Sequence, residues 1–148
     1  MGIYTFSAAI TTTVAPERIW ATLDDIAGWP RWMPGTQGLR VEPQSAGAVR
    51  AGYRFRLRAA LLHANLEVRV CGPLERTTAF QISFPPFGGV NACRLVPLDG
   101  GAHRLERVDE LHIPDMLGSW LSTTQRARFE QLAVEFLAAL EAKAKDKG

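Results

Sequence analysis

Cysteine and histidine are scarce in this 148-residue chain, at two and three residues respectively. Cys71 and Cys93 have no metal-type spacing, and His63, His103 and His112 form no H-E-x-x-H pattern, so no metal centre is expected. The two thiols are expected to be free, small and buried, as in a reducing compartment. An excess of one charge is also missing: 17 Lys and Arg stand against 15 Asp and Glu, a net charge of +2. That balance excludes the clustered basic surplus of a nucleic-acid binder. No apolar run approaches the ~20 residues of a membrane span, so integral membrane association is not expected. The start "MGIYTFSAAI" lacks a basic n-region, and Phe6 occupies the position where an N-myristoylation motif needs Ser or Thr; a cytoplasmic protein is expected. No Gly-rich loop follows a strand and opens a helix, and "GPL", "FGG" and "DGG" read as turns, so no cofactor is implied.

What is present is 47% apolar residues, the composition of an ordinary globular protein, and a length suited to one domain over residues 1–148. Residues 3–14 are β-branched and aromatic and predict an opening strand. Pro16 fits the first position of a helix and Glu17 its positive end, while Ile19, Trp20, Leu23 and Ile26 share one face, so this helix is expected to run to Gly28. In "GWPRWMPG" only a short helical turn fits between Pro30 and Pro34. Segments punctuated by Gly and Pro then predict strands near 37–43, 50–60, 63–71, 77–84, 89–97 and 103–112. The sharpest alternation sets Tyr53, Phe55 and Leu57 on one face and Arg54, Arg56 and Arg58 on the other. From Asp115 onward the period becomes helical, through Leu121, Gln125, Phe129, Leu132, Phe136 and Leu140, predicting one helix of about 28 residues and about 40 Å.

This order predicts an α+β fold in which seven strands form a curved antiparallel sheet around one long C-terminal helix. Such a sheet leaves space between itself and the helix, and that space is either filled or used. Alternation places Leu105, Arg107, Asp109 and Leu111 on one face of the last strand and Asn91, Cys93 and Leu95 on the matching face of its partner. Polar residues on an otherwise apolar face point to a pocket. Two alternatives stay open: a slip of one residue, which turns Arg104, Glu106 and Glu110 inward instead, or an ion pair of Arg107 with Asp109 at the rim near the sheet's end.

The stretches "VAPERIWATLDDIAGWPRWMPG" and "CRLVPLDGGAHRLERVDEL" resemble the START-like, polyketide cyclase and dehydrase superfamily, often labelled SRPBCC. The resemblance implies a helix-grip fold with two short helices after the first strand and a deep cavity for lipids, isoprenoids, polyketides or other apolar molecules. It implies that Trp29 and Trp32 cap one end of that cavity or brace the turn, Trp32 being the preferred pocket residue. The expected ligand contacts are Trp29, Trp32, Tyr53, Phe55, Leu57, Phe80, Phe84, Asn91, Arg107, Met116 and Trp120.

Three functional readings stay open at this point. One is carriage of an apolar small molecule; another is a polyketide cyclase or dehydratase, with Arg107 stabilising an enolate and Asp109 or Tyr53 moving protons. The third is a protein-interaction member with a filled cavity. Arg50, Arg54, Arg56 and Arg58 form the one concentrated charge, which reads as the wet face of a strand or as a docking face for a homodimer partner, an acidic protein or an anionic membrane.

Overall fold

The computed structural model describes residues 2–83 and 87–146. Its chain order is β1 (Gly2–Thr12), α1 (Pro16–Asp24), α2 (Trp29–Trp32), β2 (Arg40–Pro43), β3 (Arg54–Ala59), β4 (Leu62–Gly72), β5 (Glu75–Ile82), β6 (Phe87–Pro97), β7 (His103–Ile113), α3 (Asp115–Thr124) and α4 (Arg126–Asp146). The strands form one antiparallel seven-stranded sheet in the order β1-β7-β6-β5-β4-β3-β2. This is the expected α+β helix-grip architecture: the sheet curls round the C-terminal helical segment, and α4 lies along the inner face of β1 and β7.

The curl has local causes. A bulge at Arg69 shifts the β4–β5 register between Val68 and Val70, and bulges strengthen twist. In β6, Gly89 faces inward opposite Phe80 and Leu111. A Cβ there would run into the Glu110 carbonyl and come within 2.9 Å of the Phe80 ring, so only glycine lets the two neighbouring strands close up at this point.

Several boundaries differ from the sequence-based expectation. The first helix ends at Asp24 instead of Gly28, because Asp25 leaves helical geometry at ψ 70° and its carbonyl accepts the Gly28 N–H in a separate 3₁₀ turn over Ile26–Gly28. The C-terminal helix is two helices, broken at Gln125 (φ −117°, ψ 2°). The cause lies in "STT": the Thr123 hydroxyl donates to the Ser119 carbonyl at 2.7 Å and the Thr124 hydroxyl to the Trp120 carbonyl at 2.6 Å, and such back-bonding bends helices. The 50–60 strand begins only at Arg54, since Gly52 sits at φ 91° in the preceding turn.

The core is concentrated at one end. Ile19 and Trp20 of α1, Phe55 of β3, Leu95 and Leu105 of β6 and β7, and Leu137, Leu140 and Ala144 of α4 are all buried together. The two indole N–H groups in this region are satisfied by carbonyls, Trp20 Nε1 by Pro73 and Trp29 Nε1 by Leu23, each at 2.8 Å. Arg76 ties the end of α1 to the sheet: it makes a two-pronged ion pair with Asp24 at 2.9 and 3.0 Å, stacks over Trp20 at 4.9 Å, and donates to the Gly72 carbonyl.

Candidate functional site

At the opposite end the helix and sheet part. The space is a cavity of about 410 Å³, walled by Phe6, Leu66, Thr78, Phe80 and Leu111 from the sheet and by Phe129, Leu132, Ala133 and Phe136 from α4. Leu23, Trp29, Met33, Pro34 and Gly35 complete it from the α1–β2 segment. Gly35 and Leu132 are exposed, which puts the mouth between the segment after α2 and the first turns of α4. The volume and the mostly apolar wall are those of a small-molecule site.

Apart from Thr78 and Arg76, the latter already paired with Asp24, the polar part of the wall is a connected group. The β6–β7 register sets Asn91 directly against Asp109 and Cys93 against Arg107, and all four point inward. Arg107 Nε donates to Asp109 Oδ2 at 3.0 Å and Nη2 to Oδ1 at 3.3 Å, while Asn91 Nδ2 donates to the same Oδ1 at 2.6 Å. The guanidinium lies 4.3 Å above the Phe136 ring, which fixes its plane from the helix side. Cys93 lies beneath, fully buried, its Sγ 3.8 Å from Asn91 Oδ1. Burial pushes its thiol up from 9.0 to about 11, Arg107 opposing and Asp109 adding to that shift, so at neutral pH it is a packed thiol and not a nucleophile.

Chemically, the group presents a cation with spare donors to the cavity. Asp109 accepts from both partners, whereas Arg107 Nη1 has no partner among the described residues. A guanidinium so placed can receive a carbonyl, hydroxyl, carboxylate or enolate oxygen. No group of three or more His, Cys, Asp or Glu able to hold a metal occurs among the described residues.

Of the residues expected from sequence, Trp29, Phe80, Asn91, Arg107 and Asp109 meet at this cavity. The others lie elsewhere. Trp32 packs on Phe136 from outside the cavity, with ring centroids 6.2 Å apart, so the two tryptophans exchange their expected roles. Tyr53 and Phe55 belong to the filled core, where Trp29 meets Phe55 edge-on at 5.4 Å; Phe55 borders only a void of about 20 Å³, and Leu57 packs against the same cluster. Met116 and Trp120 are exposed on α3, because the break at Gln125 separates α3 from the helix that walls the cavity. Phe84 lies outside the described residues.

Sequence reasoning missed Phe6, Arg76 and Thr78, and it read Phe129, Leu132 and Phe136 as ordinary helix core. The alternation of β1 and β5 carries Phe6, Thr78 and Phe80 to the inner face, so the signal was present for those positions.

The arginine stripe has partners of its own. Arg54 pairs with Glu67 at 3.1 Å, Arg58 with Glu42 at 3.2 Å, Arg56 bonds Asn65 at 2.9 Å and Arg50 bonds the Ala46 and Ala48 carbonyls. A wide, shallow concavity of about 760 Å³ lies alongside on the outer face, where Arg54 and Arg69 both face Glu67; it is open and lined by polar and apolar residues alike.

The fold is shared with solved structures of low sequence identity. A START superfamily protein from Mycobacterium smegmatis matches with a TM-score of 0.70 at 14% identity, over 98% of this chain and 99% of that one. The Zhui aromatase/cyclase from Streptomyces sp. R1128 matches with a TM-score of 0.66 at 16% identity, over 97% and 94%. A hypothetical protein from Helicobacter pylori matches with a TM-score of 0.69 at 11% identity, over 97% and 88%. No curated protein matches the sequence. Residues 4–145 match the family described as polyketide cyclase / dehydrase and lipid transport, and the chain belongs to that family.

Proposed function

We propose that residues 1–148 act as one ligand-binding unit that holds and carries a mainly apolar small molecule with a single polar end, of lipid, isoprenoid or polyketide type. The observation that carries this reading is the unpartnered Nη1 of Arg107 in a mostly apolar cavity of about 410 Å³. The apolar body would lie against Phe6, Phe80, Leu111 and Phe129, and the polar end against Arg107 and Asn91. Trp29 would close the cavity floor.

Carriage is favoured over cyclisation by the state of the proton-transfer candidates. Asp109 is already held by Arg107 and Asn91, and Tyr53 does not reach the cavity. A cyclase needs a group free to move protons near the substrate. Arg107 alone supplies charge stabilisation, which a binding protein uses equally well.

The test is native mass spectrometry of freshly purified protein under gentle and then denaturing conditions, followed by titration with the fluorescent probe 1-anilinonaphthalene-8-sulfonate. A co-purified small molecule is expected, together with probe binding that weakens about tenfold in Arg107→Met, a change of about 1.4 kcal/mol. Leu111→Trp, which narrows the cavity, is expected to weaken probe binding while the protein stays folded. A clean apo mass with no thermal shift across a panel of apolar ligands overturns the reading in favour of a filled cavity.

A further inference from the structure

The most exposed large apolar side chains of the described residues gather at one end of the fold. They are Leu61 at 96%, Met116 at 85%, Ile3 at 65%, Trp120 at 52% and Leu62 at 49% exposure; every other one is below 45%. The sheet register explains the gathering. Gly2 pairs with Ile113, His112 with Gly88, Ile82 with Ala64 and Ala59 with Leu62, so the start of β1, the end of β7 leading into α3, and the tip of the β3–β4 hairpin all lie at the same end. The cavity mouth opens at this end too.

The hairpin tip is unusual in its chemistry. Ala60 and Leu61 form the two-residue connection between β3 and β4, and Ala60 is the one non-glycine residue with positive φ, at 50°, among the described residues. Gly, Asn or Asp normally fills such turns because they tolerate that backbone and keep the tip polar. Here the chain accepts backbone strain and projects an unsupported leucine. On α3, Gly118 lets the helix lie directly on the Tyr4 ring, which turns Met116 and Trp120 away from the protein.

We propose that this end of the protein docks on an anionic lipid surface, with Leu61, Met116 and Trp120 entering the interfacial layer. Three features select a bilayer. Leu61 and Met116 touch almost nothing of their own protein, so they are separate prongs on separate elements; a fluid bilayer accepts such prongs, whereas a protein interface needs a contiguous packed core. Trp120 is amphipathic and suits the headgroup boundary. Arg40, Arg56 and Arg58 lie on the strands that lead to the hairpin tip and Arg126 and Arg128 on the first turn of α4, against Glu42, Glu110, Asp115 and Glu130, which leaves a small positive surplus at this end for the lipid headgroups. The inference stands on the exterior alone and does not require the cavity to be occupied.

Co-sedimentation of the full chain with phosphatidylcholine vesicles, alone or mixed with phosphatidylserine, tests it. The wild type is expected to sediment with the mixed vesicles, less so as salt is raised. The triple variant Leu61→Ser, Met116→Ser, Trp120→Ser is expected to lose at least about tenfold in partitioning. It should keep its melting temperature and its binding of 1-anilinonaphthalene-8-sulfonate, which separates failure of docking from failure of the cavity. Vesicle addition should shift tryptophan emission to the blue in wild type but not in Trp120→Phe. Absence of wild-type sedimentation, or equal sedimentation of the triple variant, overturns the proposal. So does a wild-type dimer in sedimentation velocity that the triple variant abolishes, because a second copy would then cover these side chains.

Discussion

The C-terminal helical segment meets the same sheet twice with opposite results. In the second half of α4, Leu137, Leu140 and Ala144 are completely buried against α1 and the sheet. Little more than one turn before Leu137, Leu132 is 43% exposed at the cavity mouth, and on α3 Met116 stands almost wholly in solvent. The sequence is helical and amphipathic throughout; what differs is the partner. At the filled end α1 supplies Ile19 and Trp20 to complete the layer, while at the hollow end the facing segment is the short α2 and the irregular stretch after it. Stability and binding therefore draw on different ends of one sheet.

This division can be broken by mutation. Leu140→Ala, at the filled end, is expected to cost about 2–5 kcal/mol in denaturant unfolding, since its loss leaves a cavity that the rigid surroundings cannot close. Leu132→Ala, on the same helix, should cost under about 1 kcal/mol, because half of that side chain already meets water. Equal costs at the two positions would dissolve the distinction.

An alkaline titration sharpens it at the boundary between the two ends. Cys93 is held near 11 when folded against 9.0 ordinarily. Its folded-state value is raised, so its contribution is fully present below pH 9 and is lost as pH rises from 9 toward 11. The loss reaches about 3 kcal/mol at most. Cys93→Ala should flatten this alkaline limb relative to wild type, measured as unfolding free energy across that window.

The smallest expected effects belong to the hollow end. Ala60→Gly is expected to raise stability by roughly 0.5 kcal/mol, the relief of positive φ being partly offset by the greater freedom of glycine in the unfolded chain. Met116→Ser should move the melting temperature hardly at all, within about 0.5 kcal/mol.

Much of the architecture was legible because it is written in short-range alternation. The inward face of β6 and β7 follows from Leu95, Leu105 and Leu111, and it carries Asn91, Arg107 and Asp109 with it. The bend in the C-terminal helix was harder to read, because Thr123 and Thr124 fit a helix by count and break it only through where their hydroxyls bond. The choice between Trp29 and Trp32 was not accessible to pattern either: both sit on one four-residue turn, and their roles are set by contacts with Phe55 and Phe136, far away in sequence. Tyr53, Phe55 and Leu57 share the inner face with Phe80 and Asn91 as expected, but alternation fixes a face and says nothing about position along it. They fall at the end that is filled.

Gly89 limits how such a cavity could be reshaped. Because the Glu110 carbonyl and the Phe80 ring occupy the space a side chain would need, the depth of the wall at that point belongs to the backbone and cannot be tuned by substitution. Ligand size and shape must then be adjusted from across the cavity, at Phe129, Ala133 and Phe136 on α4. A library aimed at new ligands would do best to leave the sheet alone and vary that helix face.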